Sequence, residues 1–170
     1  MTEKHIHACG NHSDASHKAC VASVPIFNHL EANQLDEIMV TVKPVHFKKG
    51  EHVFYAGDES DSLYIVNSGR VRTYRLSEAG KEQLVRILNP GDFMGELALF
   101  KQETHETYAE AMQNTSICTI RREDLQSFLV RYPTIALKIL NEFSNRLDQS
   151  EKQTARFATE KVDVWKIMMQ

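Results

Sequence analysis

Between residues 42 and 121 the chain alternates short runs of β-branched and aromatic residues with single glycines. Ser62-Leu63-Tyr64-Ile65-Val66 and Val71-Arg72-Thr73-Tyr74-Arg75-Leu76 are two such runs. Gly57, Gly69, Gly80 and Gly91 punctuate them at intervals of 12, 11 and 11 residues. Glycine adopts the positive φ that tight turns need. Strands at this spacing, with turn signals between them, point to a sandwich, barrel or roll. The pattern predicts strands over 42–47, 51–55, 62–67, 71–76, 82–88, 108–112 and 116–121, with a turn at Asn89-Pro90-Gly91-Asp92.

The flanks carry a different period. Pro25-Ile26-Phe27 and the stretch 33–40 predict short helical pieces, with Asn33 able to cap the second. Arg122 to Arg131 predicts a short helix whose first turn holds Glu123 and Asp124, where acidic groups are favoured. Pro133 disfavours helix at Tyr132 and ends it. A long helix is then expected from about Thr134 to Arg156. Leu137, Leu140, Ser144, Leu147, Glu151, Thr154 and Ala158 mark one stripe, and Ile135, Ile139 and Phe143 a second. Two stripes suit a helix that packs on its own domain and on a partner helix together. A single amphipathic helix on its own domain fits the same spacing, because the second half is poor in apolar residues.

A chain of 170 residues holds one good core, or one domain with an accessory element. Net charge is −3, which gives no overall electrostatic footprint for nucleic acid. No apolar run approaches the roughly 18–20 residues needed to span a bilayer. The polar start, Met1-Thr2-Glu3-Lys4-His5, has no secretory signal. The cytoplasm is therefore the expected location, with no membrane partner. The three cysteines, Cys9, Cys20 and Cys118, do not make a secreted disulfide framework. In a reducing cytosol they are free thiols, metal ligands or redox switches. Residues 1–24 hold two of them with His5, His7, His12 and His17, and little apolar content. Such a segment makes no core of its own. It is disordered, pinned by a metal, or packed on the body.

One ordered string is highly specific. Gly57-Asp58, Ser62-Leu63-Tyr64-Ile65-Val66-Asn67-Ser68-Gly69-Arg70-Val71 and Pro90-Gly91-Asp92-Phe93-Met94-Gly95-Glu96-Leu97-Ala98-Leu99-Phe100 follow one another in it. Over about residues 25–160 the chain resembles the effector domain of the cyclic-AMP-receptor/fumarate-nitrate-regulator (Crp/Fnr) family of transcription factors. The resemblance implies a mainly β fold with flanking helices: a cyclic-nucleotide-binding-like double-stranded β-roll, or jelly roll, followed by a long dimerisation helix. It implies a regulator rather than an enzyme, acting as a homodimer with Leu137, Leu140, Phe143 and Leu147 on the dimer helix. It divides the chain into a Cys/His-rich segment 1–24, a sensor roll 25–132, a dimerisation helix 133–158, and a hinge with the start of a winged helix-turn-helix at 159–170. No recognition helix fits in Trp165-Lys166-Ile167-Met168-Met169-Gln170, so DNA would be read only through a full-length parent. A shortened chain, a shortened gene and a natural sensor-only product are the readings of that ending.

In the nucleotide-binding members of that family a Gly-Glu-Leu turn opens a phosphate cassette. Its glutamate holds the ribose hydroxyl, and an arginine further on pairs with the cyclic phosphate. Gly95, Glu96 and Leu97 are present here, but the arginine position falls on His105, followed by Glu106. A buried phosphodiester needs a cation and donors to replace its hydration. No arginine lies between Arg86 and Arg121, Lys101 comes too early, and the Glu106 carboxylate would repel the anion. The pocket reads as degenerate, with cyclic AMP not expected and the glycines and Glu96 serving as turn-formers. A cyclic-nucleotide-binding regulatory module is the runner-up reading.

The stretch from His105 to Ala111, leading into Thr115-Ser116-Ile117-Cys118-Thr119-Ile120, resembles the oxygen- and redox-sensing Fnr branch. In that branch a cysteine at the Cys118 position joins N-terminal cysteines to hold an iron–sulfur centre. This chain has three cysteines in total, so a four-ligand site needs another donor, from His5, His7, His12, His17 or Asp14. Three outcomes stay open. One is a mixed-ligand iron–sulfur cluster on Cys9, Cys20 and Cys118. Another is zinc or ferrous iron held by those cysteines with His12 or His17. The third is a reversible disulfide between Cys118 and an N-terminal cysteine, which would add roughly 2–4 kcal/mol and pin the segment. The plainer alternative makes Cys118 a small core residue and leaves the two N-terminal cysteines inert. A cupin-like metalloenzyme is disfavoured, because His46, His52 and His105 are scattered.

Overall fold

The computed structural model of the chain describes residues 14–169. It opens with two short helices, α1 (Asp14–Ser23) and α2 (Ala32–Thr41). Eight strands follow: β1 (Lys43–Phe47), β2 (His52–Phe54), β3 (Ser62–Ser68), β4 (Val71–Leu76), β5 (Glu82–Leu88), β6 (Phe93–Met94), β7 (Tyr108–Ala111) and β8 (Thr115–Arg121). A 3-10 turn, Glu96–Leu99, sits between β6 and β7. Two further helices complete the chain, α3 (Arg122–Arg131) and α4 (Pro133–Met168).

The strands form two four-stranded antiparallel sheets, ordered β1-β8-β3-β6 and β2-β7-β4-β5. Their inner faces meet over Val53, Phe54, Val66, Val71, Leu88, Met94, Ala109 and Ile117. Alternation places them there: in β4, Val71 and Thr73 are buried while Arg72 between them is half-exposed. The expected roll is therefore the observed one. Strand β8 is paired on both sides, by β1 and β3, and is buried almost along its whole length. Ile117 faces the core, so its neighbour Cys118 faces the opposite side of the sheet.

Gly69 is required at its turn. Its φ is 88°, and a Cβ there would lie 2.4 Å from Thr115 Oγ1 and 2.5 Å from the Asn114 carbonyl oxygen.

Several details differ from the sequence expectation. Strand β6 lies outside the predicted set, because two residues are too few to show alternation; they pair with Tyr64 and Ile65. Helix α2 begins at Ala32 after a Glu31 cap, with Gln34 Oε1 accepting from the Glu31 N–H at 3.0 Å, so Asn33 lies inside the helix and does not cap it. The part of the Cys/His-rich segment that is described, Asp14–Ser23, is helical and packs on β3 and α2. The chain divides into two compact units at Arg131/Tyr132. In the second unit α4 runs unbroken for 36 residues through Met168, past the expected hinge at 159. No glycine or proline follows Pro133, and Pro133 itself sits in the first turn, where its missing N–H costs nothing.

Candidate functional site

Helix α1 carries His17, Cys20 and Val21 at i, i+3 and i+4, which places them on one side of the helix, and Val24 follows just past its end. All four are buried. This face lies against sheet β1-β8-β3-β6, where β3 offers Val66 and Asn67 and β8 offers Ser116 and Cys118. Cys20 and Cys118, roughly a hundred residues apart in sequence, meet there and share a hydrogen bond. His17 Nδ1 lies 3.4 Å from Cys118 Sγ and 3.4 Å from Asn67 Nδ2. An amide nitrogen only donates, so Nδ1 is the acceptor and the ring hydrogen sits on Nε2. Asn67 Nδ2 is also 3.5 Å from Ser116 Oγ. Cys20 Sγ lies 3.8 Å from the Val66 carbonyl oxygen. Neither cysteine is in a disulfide.

The two thiols are electrostatically unequal. The hydrogen bond from the Cys118 thiol pulls Cys20 below the ordinary thiol range, against the opposing effect of burial. Cys118 is pushed far above it, first by that same bond and then by burial and the charge on Cys20. Only one negative charge is easily placed on the pair, and it falls on Cys20.

A metal fits this arrangement poorly. Among the described residues no group of three His, Cys, Asp or Glu side chains is disposed to hold a metal ion. The two thiols are hydrogen-bonded to each other, and of the two it is Cys118 Sγ that lies beside His17, 3.4 Å from its Nδ1. Cys9 and His12, the other expected ligands, lie outside the described residues, as do His5 and His7.

The expected nucleotide pocket is a second, separate place. Gly95 has φ 85° and introduces the 3-10 turn, and a Cβ on it would lie 2.5 Å from the Ser62 carbonyl oxygen. Glu96 is buried and Leu97 is exposed. His105, at the expected arginine position, is buried and stacked flat on Phe54, with ring centroids 3.6 Å apart and planes 6° apart. Tyr64 lies 6.2 Å from it and 5.4 Å from Phe54. Glu106 is exposed and pairs with Arg75 at 3.0 Å, and Lys101 pairs with Glu103 at 3.3 Å. Each of these side chains, which a phosphate would have to meet, is thus engaged with the protein itself.

Sequence reasoning missed three residues here. Arg86 on β5 turns its guanidinium inward and donates from Nη2 to the Phe93 carbonyl at 2.6 Å; burial lowers its pKa, with Asp92 acting in the opposite sense. Arg122 donates from Nε to the Ala98 carbonyl at 2.5 Å and from Nη2 to the Ser60 carbonyl, tying the 3-10 turn to the start of α3. Asn67 falls within the strand expected over 62–67, and a polar residue directly after the buried Ile65-Val66 pair was the signal available for it.

In the second unit Leu137, Leu140 and Leu147 are exposed, Phe143 is half-buried, and Ile135 and Ile139 are buried. His46 on β1 and His52 on β2 lie in different sheets; His52 Nε2 is 2.8 Å from Tyr74 Oη. No helix among the described residues is long and apolar enough to cross a membrane.

Comparison with known proteins bears on the family and the fold. Residues 44–132 match the model of the cyclic nucleotide-binding domain. The "Probable transcriptional regulator flp" of Lacticaseibacillus casei is 31% identical over 146 residues, covering 86% of this chain and 66% of that protein. The "Fumarate and nitrate reduction regulatory protein" of Vibrio cholerae is 33% identical over 120 residues, covering 71% of this chain and 47% of that one. This chain therefore spans about half to two thirds of such relatives. The sensor domain of the transcriptional regulator DNR from Pseudomonas aeruginosa superposes with a TM-score of 0.72 at 25% identity, covering 82% of this chain and 93% of that one.

Proposed function

This chain belongs to the Crp/Fnr family of transcriptional regulators and carries its cyclic-nucleotide-binding-like sensor domain; from that premise we propose that it senses redox state through a reversible Cys20–Cys118 disulfide. The observation that carries this reading is the meeting of the two cysteines beneath α1, with His17 Nδ1 3.4 Å from Cys118 Sγ. A two-electron oxidant takes two electrons and two protons from the thiols and leaves one S–S bond. The reduced pair holds α1 to β8 by weak hydrogen bonds, and the oxidised pair holds it covalently. A local covalent change on a packed element is the kind of event that biases a two-state regulator.

The rest of the regulatory cycle is proposed with it. Leu137, Leu140, Phe143 and Leu147 would join two copies along α4, and DNA would be met by the part of a full-length regulator that this chain does not span. The roll interior would take no cyclic nucleotide, because His105 stands where a phosphate-binding arginine is expected and is stacked on Phe54.

The test is a peptide map of the whole chain after treatment with diamide. A Cys20–Cys118 cross-linked peptide, lost on adding dithiothreitol, is expected. A link from Cys9, or none, would remove the reading.

A further inference from the structure

The paired cysteines differ in access, mobility and hydrogen bonding, and those differences assign them different roles. Cys20 is 8% exposed and Cys118 0%. Cys20 sits on a ten-residue helix, whereas Cys118 sits in a strand hydrogen-bonded on both sides, opposite Pro44 on β1 and Ile65 on β3. Among the described residues Cys20 is the more accessible of the two, so an oxidant meets it first, and Cys118, held in its paired strand, cannot come out to meet it. Such burial favours a small two-electron oxidant over a bulky one. His17 Nδ1, made an acceptor by Asn67, faces Cys118.

We propose, on the strength of the redox reading above, that a small hydroperoxide oxidises Cys20 first, that Cys118 resolves it, and that His17 accepts the Cys118 proton as the disulfide closes. In the first step the Cys20 sulfur attacks the terminal peroxide oxygen. An S–O bond forms, the O–O bond breaks, and the alcohol or water leaves with a proton. Cys20 becomes a sulfenic acid. In the second step Cys118 Sγ attacks the Cys20 sulfur while its hydrogen passes to His17 Nδ1. The S–O bond breaks as the S–S bond forms, and the departing hydroxide takes the proton from His17 to leave as water. Two thiols and one hydroperoxide thus give one disulfide, one alcohol and one water, or two waters from hydrogen peroxide. Cys118 is fully buried, so a thiolate there has no water to solvate it and an adjacent proton acceptor eases the step.

The test is time-resolved mass spectrometry of the full chain with hydrogen peroxide, in a Cys9→Ser background that leaves two thiols. Cys118→Ser should accumulate a dimedone-trappable sulfenic acid on Cys20. His17→Asn keeps a hydrogen-bonding oxygen close to the Nδ1 position but takes no proton. It should leave the first step unchanged and slow closure by about a hundredfold. A merely structural histidine would alter both steps or neither. Should His17→Asn fail to fold, the unaltered His17 chain still decides: a solvent deuterium isotope effect confined to closure supports the proposal. Sulfenic acid on Cys118, or equal closure rates, would overturn it. So would thiols inert to peroxide that still cross-link with diamide, an outcome that leaves the redox reading standing; failure with diamide as well removes both.

Discussion

Two buried places in the first unit of this chain have opposite relations to chemistry. Around Gly95, Glu96 and His105 the roll keeps a nucleotide-site turn but fills the space with its own rings: His105 lies flat on Phe54. Beneath α1, elements distant in sequence bring His17, Cys20 and Cys118 into contact, and no apolar core needs those residue types there. On the proposed reading, the contrast is between a family turn kept as architecture and a small polar cluster where a redox signal would enter.

The largest way to sharpen the contrast is to oxidise the chain. A Cys20–Cys118 bond closes a loop of roughly a hundred residues, so unfolding in denaturant should become harder by about 4 kcal/mol. Cys118→Ser should erase the gap between oxidised and reduced protein.

Gly95→Ala tests the other place. Positive φ and a Cβ 2.5 Å from the Ser62 carbonyl oxygen should cost about 2–3 kcal/mol. Urea melts should show that loss equally in reduced and oxidised protein, because the turn serves the fold and not the thiols. A loss confined to one redox state would join the two places and break the contrast.

Tyr64, which flanks His105, offers a smaller effect with a defined sign. Burial first, and then Asp61 and Asp58, push its pKa up to about 12. An unfolded tyrosine ionises near pH 10. The stabilisation is therefore full below about pH 10 and lost as pH rises from there towards 12. Comparing the unaltered chain with Tyr64→Phe should show a steeper stability loss in that window only for the former.

The smallest expected effect is none. A site with a Kd of about 10 μM would gain about 2.7 kcal/mol at 1 mM ligand. Cyclic AMP or cyclic GMP at that concentration should leave the melting temperature unchanged. A shift of several degrees would restore the nucleotide-binding reading.

The roll was legible because turn glycines and alternating strands are local signals, and β3, β4, β5 and β8 fall within a residue of their expected bounds. Cys118 and the N-terminal cysteines were legible as a set only through the family resemblance. Which N-terminal cysteine meets Cys118 depends on α1 docking against β3 and β8, a long-range event that spacing does not encode. Asn67 and Arg122 were hidden for the same reason: each acts on an atom far away in sequence, as Arg122 does on the Ala98 carbonyl, whereas Arg86 reaches across only the turn to Phe93. His105 stands out in the sequence as a lost arginine, but its stacking on Phe54 needed the fold.

The most direct test of the central claim is a redox titration of the whole chain in dithiothreitol buffers, with thiols counted by alkylation and mass spectrometry. The account predicts that Cys20 and Cys118 become protected from alkylation together in a single two-electron transition, while Cys9 stays open to it. Protection of Cys9 with either partner, or Cys20 and Cys118 both still alkylated in the most oxidising buffer, would contradict it.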